Sequence, residues 1–165
     1  MKKIAIIAAS LLAFVSCVKE TYDYVPKDKK PNLRNGDTVY FVNHQDKSLV
    51  DTFVIQISTI YDVVDKIHYF EATAWRYQNK NKSFFYGLST SYGTSCVASS
   101  QQWDYMHYSH TTTSEIDIRN TKFPVVVYAA NNNSDGTVPN TIYYSIKKGI
   151  VRYDYSDTNY YERKL

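Results

Sequence analysis

No apolar run in the sequence is long enough to cross a membrane as a helix. The longest, Ile4 to Val15, is twelve residues with Ser10 inside it, whereas a span takes about 20. The spacings G-x-S-x-G, H-E-x-x-H, C-x-x-C and G-x-x-x-x-G-K are all missing. Their absence removes the usual signals for serine or zinc hydrolysis, thiol redox chemistry and nucleotide binding. Helix formers are sparse too: Ala, Leu, Glu and Met are few, while the chain holds 17 tyrosines and many Thr, Val and Ile. That balance disfavours helices and suits pleated, half-buried surfaces. Only two cysteines are present, Cys17 and Cys96.

The apolar run has the length of a secretory signal core, with Lys2 and Lys3 as its positive leader. It ends Phe14-Val15-Ser16-Cys17, which resembles the bacterial lipobox, although Phe14 stands where leucine is usual. The resemblance implies that residues 1–16 are a signal peptide. Cys17 would become the mature N-terminus, carrying a diacylglycerol on sulfur and a further acyl chain such as palmitate. Two or more chains make such an anchor stable, at about 0.8 kcal/mol per buried CH₂. Cleavage would leave 149 of the 165 residues and remove two of the 19 basic residues against 16 acidic ones, a formal charge of +1. No basic excess then argues for nucleic acid, and none is expected as a partner. With Cys17 thioether-linked, Cys96 has no intramolecular partner and is expected as a small buried hydrophobe.

Residues 17–36 read as the lipidated cysteine and a flexible tether. The stretch has two prolines, four basic residues from Lys27 to Arg34 and no apolar period. From Val18 to Gly36 it would reach about 65 Å extended or about 25 Å as a coil. Glu20 and Asp23 soon after the cysteine resemble the export tags of surface-exposed lipoproteins in Bacteroidetes-type bacteria. The implied location is the outer membrane, with the cell surface favoured over the periplasmic face.

Residues 37–165 are expected to form one β domain. Alternation marks strands near 38–42, 51–58, 67–77, 83–88, 101–109, 114–118, 123–130, 141–147, 149–155 and 159–163, separated by turn residues such as Asn79-Lys80-Asn81 and Ser156-Asp157. Val63, Val64 and Ile67 share a helical face over 61–68, which reads equally as a strand connection. Many short antiparallel strands predict an all-β sandwich or a partly open wrapped barrel, between which periodicity does not choose.

The segment Ile142 to Arg163, IYYSIKKGIVRYDYSDTNYYER, resembles the C-terminal signature of small uncharacterised Bacteroidetes-type lipoproteins. That family brings no activity, ligand or catalytic residue to transfer. Physically the segment describes three strands whose expected job is to close the sheet, with Gly149 supplying a positive φ or a close approach. Val151, Tyr153 and Tyr155 should alternate with Ile150, Arg152 and Asp154.

Chemistry-bearing residues are scattered. Glu115 and Asp117 share one strand face, about 7 Å apart, a spacing within reach of glycoside hydrolysis. Ile116 and Ile118 alternate with them and claim the core, which leaves the acids in water. Ser145-Ile146-Lys147-Lys148 matches S-x-x-K without the helix that motif needs. His44, His68, His107 and His110 include no H-x-H pair, so no metal site and no cofactor is expected. Aromatic faces are the positive signal: Trp75 with Tyr77, and Trp103 with Tyr105. They serve either as a platform for a ligand or as the core of a tyrosine-rich sheet. The functional expectation is a lipid-anchored, non-enzymatic envelope module binding a glycan, an apolar ligand or a protein partner. A structural or assembly subunit of an envelope complex is the alternative, and a hydrolase stands behind both.

Overall fold

A computed structural model describes residues 19–65, 67–90, 93–100, 105–130 and 138–165, the side chains of 64, 65, 93–100, 105–110 and 130 excepted. The strands are β1 (Thr21–Asp23), β2 (Thr38–Asn43), β3 (Val50–Asp65), β4 (His68–Gln78), β5 (Lys82–Ser89) and β6 (Gly93–Ser100). They continue with β7 (Tyr105–Ile118), β8 (Thr121–Ala130), β9 (Thr141–Ser145), β10 (Gly149–Asp154) and β11 (Tyr160–Arg163). One 3₁₀ turn, Lys27–Lys29, is the sole helical element among the described residues.

Strands β2 to β11 form a single antiparallel sheet, in the order β4-β3-β2-β11-β10-β9-β8-β7-β6-β5. It curls until β5 meets β4 again, from Ala72 opposite Ser89 to Gln78 opposite Ser83. The ladder between β6 and β7 is short, running from Val97/His107 to Ser99/Tyr105, as are those that β11 makes with β10 and β2. This is the partly open barrel; one continuous sheet excludes the sandwich. The C-terminal signature does what its pattern implies, since β11 joins β10 to β2 through Tyr161 opposite Asn43 and thereby brings the two ends of the domain together.

Period-two alternation builds the core. Phe41 of β2, Phe53 and Ile55 of β3, Trp75 and Tyr77 of β4, Phe84 and Tyr86 of β5, Ile142 and Tyr144 of β9, and Ile150 and Tyr153 of β10 all point inward and pack together. Tyr86 and Tyr144 stack with centroids 3.6 Å apart, and Phe53, Phe84 and Tyr153 meet at tilted or edge-on angles. Each such ring, fully buried, contributes about 1.5–3 kcal/mol. A smaller cluster lies outside the barrel, where Ile118, Phe123 and Val125 of the β7–β8 hairpin pack with Val151.

Val151 sits there because of a β-bulge. The register to β9 slips between Ile150 and Arg152, so Ile150 and Tyr153 both face inward and Val151 is turned to the outer cluster. The simple alternation expected for this segment fails at that residue, because a bulge adds one residue to one strand and reverses parity beyond it. Gly149 meets both of its expected requirements. Its φ is +77°, and a Cβ there would overlap the Tyr77 hydroxyl and approach Leu33 Cδ1 to 2.9 Å.

Three other expectations change. Residues 61–65 continue β3 and are not helical, since the β4 ladder satisfies their backbone and two turns are too short a helix to stand without packing. Strand β6, from the small-residue stretch GTSCVASS, carries too little alternation to be read. The expected tether is docked over its described part: Thr21–Asp23 pairs in parallel with His68–Phe70, Val25 is buried, and the Gly36 N–H donates to the Ile55 carbonyl at 2.8 Å.

Candidate ligand groove and the clusters around it

Glu71 holds the docked segment in place. It lies on the inward face of β4, 3 % exposed, where its carboxylate accepts the Val25 N–H at 3.0 Å, the Thr73 hydroxyl at 2.6 Å and the Lys30 ammonium. Burial pushes its pKa up, but the Lys30, Thr73 and Val25 donors outweigh it and hold the carboxyl below its ordinary 4.5. A second tie follows: the Asn32 N–H donates to the Lys147 carbonyl at 2.9 Å. These contacts lay the 3₁₀ turn beside the β9–β10 turn.

The result is a groove of about 630 Å³ lined by Lys27, Lys30, Lys147, Lys148 and Arg163, with Asp28 the one acid in its wall. Among the described residues, Lys30 is paired with Glu71, while Lys27, Lys147 and Lys148 form no ion pair. Arg163 donates to the Lys148 carbonyl, and burial lowers its pKa from the ordinary guanidinium value. A second depression of about 620 Å³ continues past Asp28, Lys147 and Lys148 and is walled by Phe123, Pro124, Val125 and Ile146. Several cations confined beside a low-dielectric wall repel one another and raise the local concentration of anions. The two spaces together offer charge at one end and apolar surface at the other.

At the opposite end of β3, Lys82 is enclosed by Asp51 at 2.6 Å, the Tyr155 hydroxyl at 3.0 Å and the rings of Tyr153, Tyr155 and Tyr161 between 5.3 and 5.5 Å. The Tyr153 hydroxyl also donates to Asp51. Burial would lower the Lys82 pKa, but the Tyr155 and Asp51 oxygens outweigh it and the net shift is upward. A lysine that keeps its proton is not a nucleophile; the cluster is a stabilising cation cage. On the outer face, Arg152 forks onto Asp154 at 2.7 and 2.8 Å and lies 3.6 Å above the Tyr160 ring.

The residues weighed from sequence fall elsewhere. Trp75 and Tyr77 are 2 % and 0 % exposed in the barrel core, and Tyr77 accepts the Ile150 N–H at 2.9 Å. They are therefore structural rings and no platform. Trp103 and Cys17 lie outside the described residues, as do the side chains of Tyr105, Cys96, His107 and His110. Glu115 and Asp117 are exposed, and Glu115 faces Lys122 at 3.3 Å with both side chains more than half in water. Ser145 ends β9 in a strand conformation. His44 stacks on Tyr160, and among the described residues no three His, Cys, Asp or Glu converge. No described helix is long and apolar enough to cross a membrane.

The lysines of the groove carried no binding motif, the S-x-x-K match that ends in Lys148 lacking its helix. The signal available was a basic run, Lys27 to Lys30, and a Lys147-Lys148 pair at a turn, which nothing local connects. Comparison with protein-family models, curated proteins and solved structures finds no match to this chain.

Proposed function

We propose that the protein is a lipid-anchored envelope module, held by Cys17, whose barrel binds an anionic amphiphile without transforming it. The observation that carries this reading is the basic groove opening into an apolar one. Lys27, Lys147 and Lys148 take the acidic group, and Phe123, Pro124 and Ile146 take the apolar part. Such a ligand bears phosphate or carboxylate on a lipid or a lipid-linked glycan. Two further features support a binding role over a catalytic one: the carboxylates Glu115 and Asp117 stand in water, and the half-buried Lys82 is held protonated.

Calorimetric titration of the chain with dodecyl phosphate, inorganic phosphate and a neutral alkyl glucoside tests it. Dodecyl phosphate should bind, with affinity falling as salt rises. Binding by inorganic phosphate alone would reduce the site to an anion hole, and equal binding by the glucoside would make the lysines irrelevant. The double substitution Lys147→Glu, Lys148→Glu should abolish binding while thermal unfolding stays close to that of the parent, because both side chains are exposed. Undiminished binding by that variant defeats the proposal.

A further inference from the structure

The β3–β4 hairpin runs past the barrel, and one face of its extension is aromatic. Tyr69 stacks on Tyr22 at 4.8 Å, Tyr22 stacks on Tyr24 at 6.1 Å, and Tyr61 meets both edge-on. Val63 lies opposite Tyr69 in the ladder, on the same face as Tyr61. These groups are open to solvent: Tyr24 is 61 % exposed, Val63 55 %, Tyr61 46 % and Tyr22 39 %. Asp62 alternates with them and projects from the other face of the strand, as does Asp23 relative to Tyr22 and Tyr24. Glu20 lies at the edge of this face, where its carboxylate accepts the Tyr22 hydroxyl at 2.8 Å and the Tyr69 hydroxyl at 3.5 Å. A contiguous aromatic surface of this kind is unusual on a free-standing domain.

The chain ahead of it says what covers it. Because β1 is hydrogen-bonded to β4, the N-terminal segment joins the domain at Thr21 and not at Gly36. Only four residues separate Cys17 from Tyr22, at most about 18 Å of chain. One headgroup layer is about 5–7.5 Å deep, half the difference between a bilayer of about 40–45 Å and a hydrocarbon core of about 30 Å, so even a fully extended chain keeps Tyr22 within about 10–13 Å of the headgroup surface. If Cys17 carries acyl chains, the tyrosine face is held within easy reach of the membrane surface. Tyrosine is also the side chain that settles at that boundary, with its ring among acyl chains and its hydroxyl in the headgroups.

We propose that the Tyr22, Tyr24, Tyr61, Val63 and Tyr69 face is a seat that rests on the headgroup layer of the bilayer holding Cys17. It orients the barrel relative to the bilayer. The inference rests on the anchoring part of the functional reading and adds an orientation to it.

The test uses the full chain, matured and lipidated in a bacterial host, with Cys96→Ser and a nitroxide on Val63→Cys. The protein is placed in vesicles of phosphatidylethanolamine and phosphatidylglycerol. A second label on Lys47→Cys, about 50 Å farther along the chain of β3 and its preceding turn, serves as the aqueous control. Accessibility of the Val63 label to a water-soluble nickel relaxant should fall severalfold on reconstitution, with no change at Lys47. Adding Tyr24→Ser and Tyr61→Ser should return the Val63 label to water while the protein still floats with the vesicles. Failure to float overturns the anchor and the seat together. Flotation with a water-exposed Val63 label overturns the seat alone, and shielding of that label by a soluble neutral oligosaccharide but not by the bilayer assigns the face to a glycan instead.

Discussion

Replacing Glu71 by alanine removes the acceptor of three hydrogen bonds at once, from Val25, Thr73 and Lys30. Hydrogen bonds to a charged group contribute about 1.5–3 kcal/mol each, but the three do not add. Lys30, with 28 % of its side chain exposed, recovers most of its loss from water, and Thr73 turns to Thr59, whose hydroxyl lies 3.0 Å away. The Val25 N–H has no such substitute, so the docked segment should open more easily by about 1.5–3 kcal/mol, a factor of about 10 to 150. Amide hydrogen exchange reads this residue by residue. Protection at Val25, and at Thr21, which donates to the Ile67 carbonyl, should fall by that factor while Ile55 in the barrel is spared. Because the folded pKa of Glu71 lies below 4.5, its contribution is present above that value and is lost as pH falls through the lower folded one. After correction for intrinsic rates, Val25 protection should therefore be level above about pH 5 and decline only in stronger acid. Unchanged exchange at Val25 in Glu71→Ala, or an equal loss at Ile55, would refute the latch.

Other outcomes follow from the same geometry. Gly149→Ala should destabilise by about 2–5 kcal/mol, combining the positive-φ penalty with displacement of the Tyr77 hydroxyl that accepts Ile150 N–H; in a Tyr77→Phe background the thermal-unfolding cost should be smaller, and strict additivity would count against the contact. Tyr144 and Tyr153 have their pKa values raised, chiefly by burial and then by Tyr86 and Asp51 respectively. Phenolate absorbance should thus show them un-ionised until the barrel unfolds, with stability falling above about pH 10 as only the unfolded chain releases those protons. Asp51→Asn should cost about 1–3 kcal/mol in chemical denaturation, less than a fully buried pair because both side chains keep about a fifth of their surface in water. Glu115→Gln, facing an exposed lysine, should shift stability by under about 1 kcal/mol, and a larger shift would mean that the face is not solvated.

How much of this was legible depends on the range over which each feature is encoded. Alternation is local, so Val39 and Phe41, Phe53 and Ile55, and Trp75 and Tyr77 could be read as strand positions from a few neighbours each. Where the pattern is silent, as in the small residues of β6, the strand exists because the backbone of β5 offers it a full ladder from Lys82 to Ser89. Glu71 did leave a trace: it occupies an inward position in the series Tyr69, Thr73, Trp75, Tyr77, and an acid on a core face implies a partner. That partner proved to lie in the segment read as a tether, whose polar composition says nothing about a contact 46 residues away.

The sequence by itself determined an apolar run of twelve residues with Cys17 just beyond its end, an all-β chain, and the turn at Gly149. All three depend on residues close together, where the chemistry of a peptide is complete. Only the tertiary structure decided that the sheet curls into a barrel, that Trp75 and Tyr77 are core while Tyr22, Tyr24 and Tyr61 are surface, and that lysines from positions 27–30 and 147–148 line one groove. The reason is that a strand's alternation is the same in a sandwich and in a barrel. Inside and outside acquire meaning only when β11 meets β2 and β5 meets β4, and the cost in chain entropy of bringing such distant segments together is met by burial of the whole aromatic core at once.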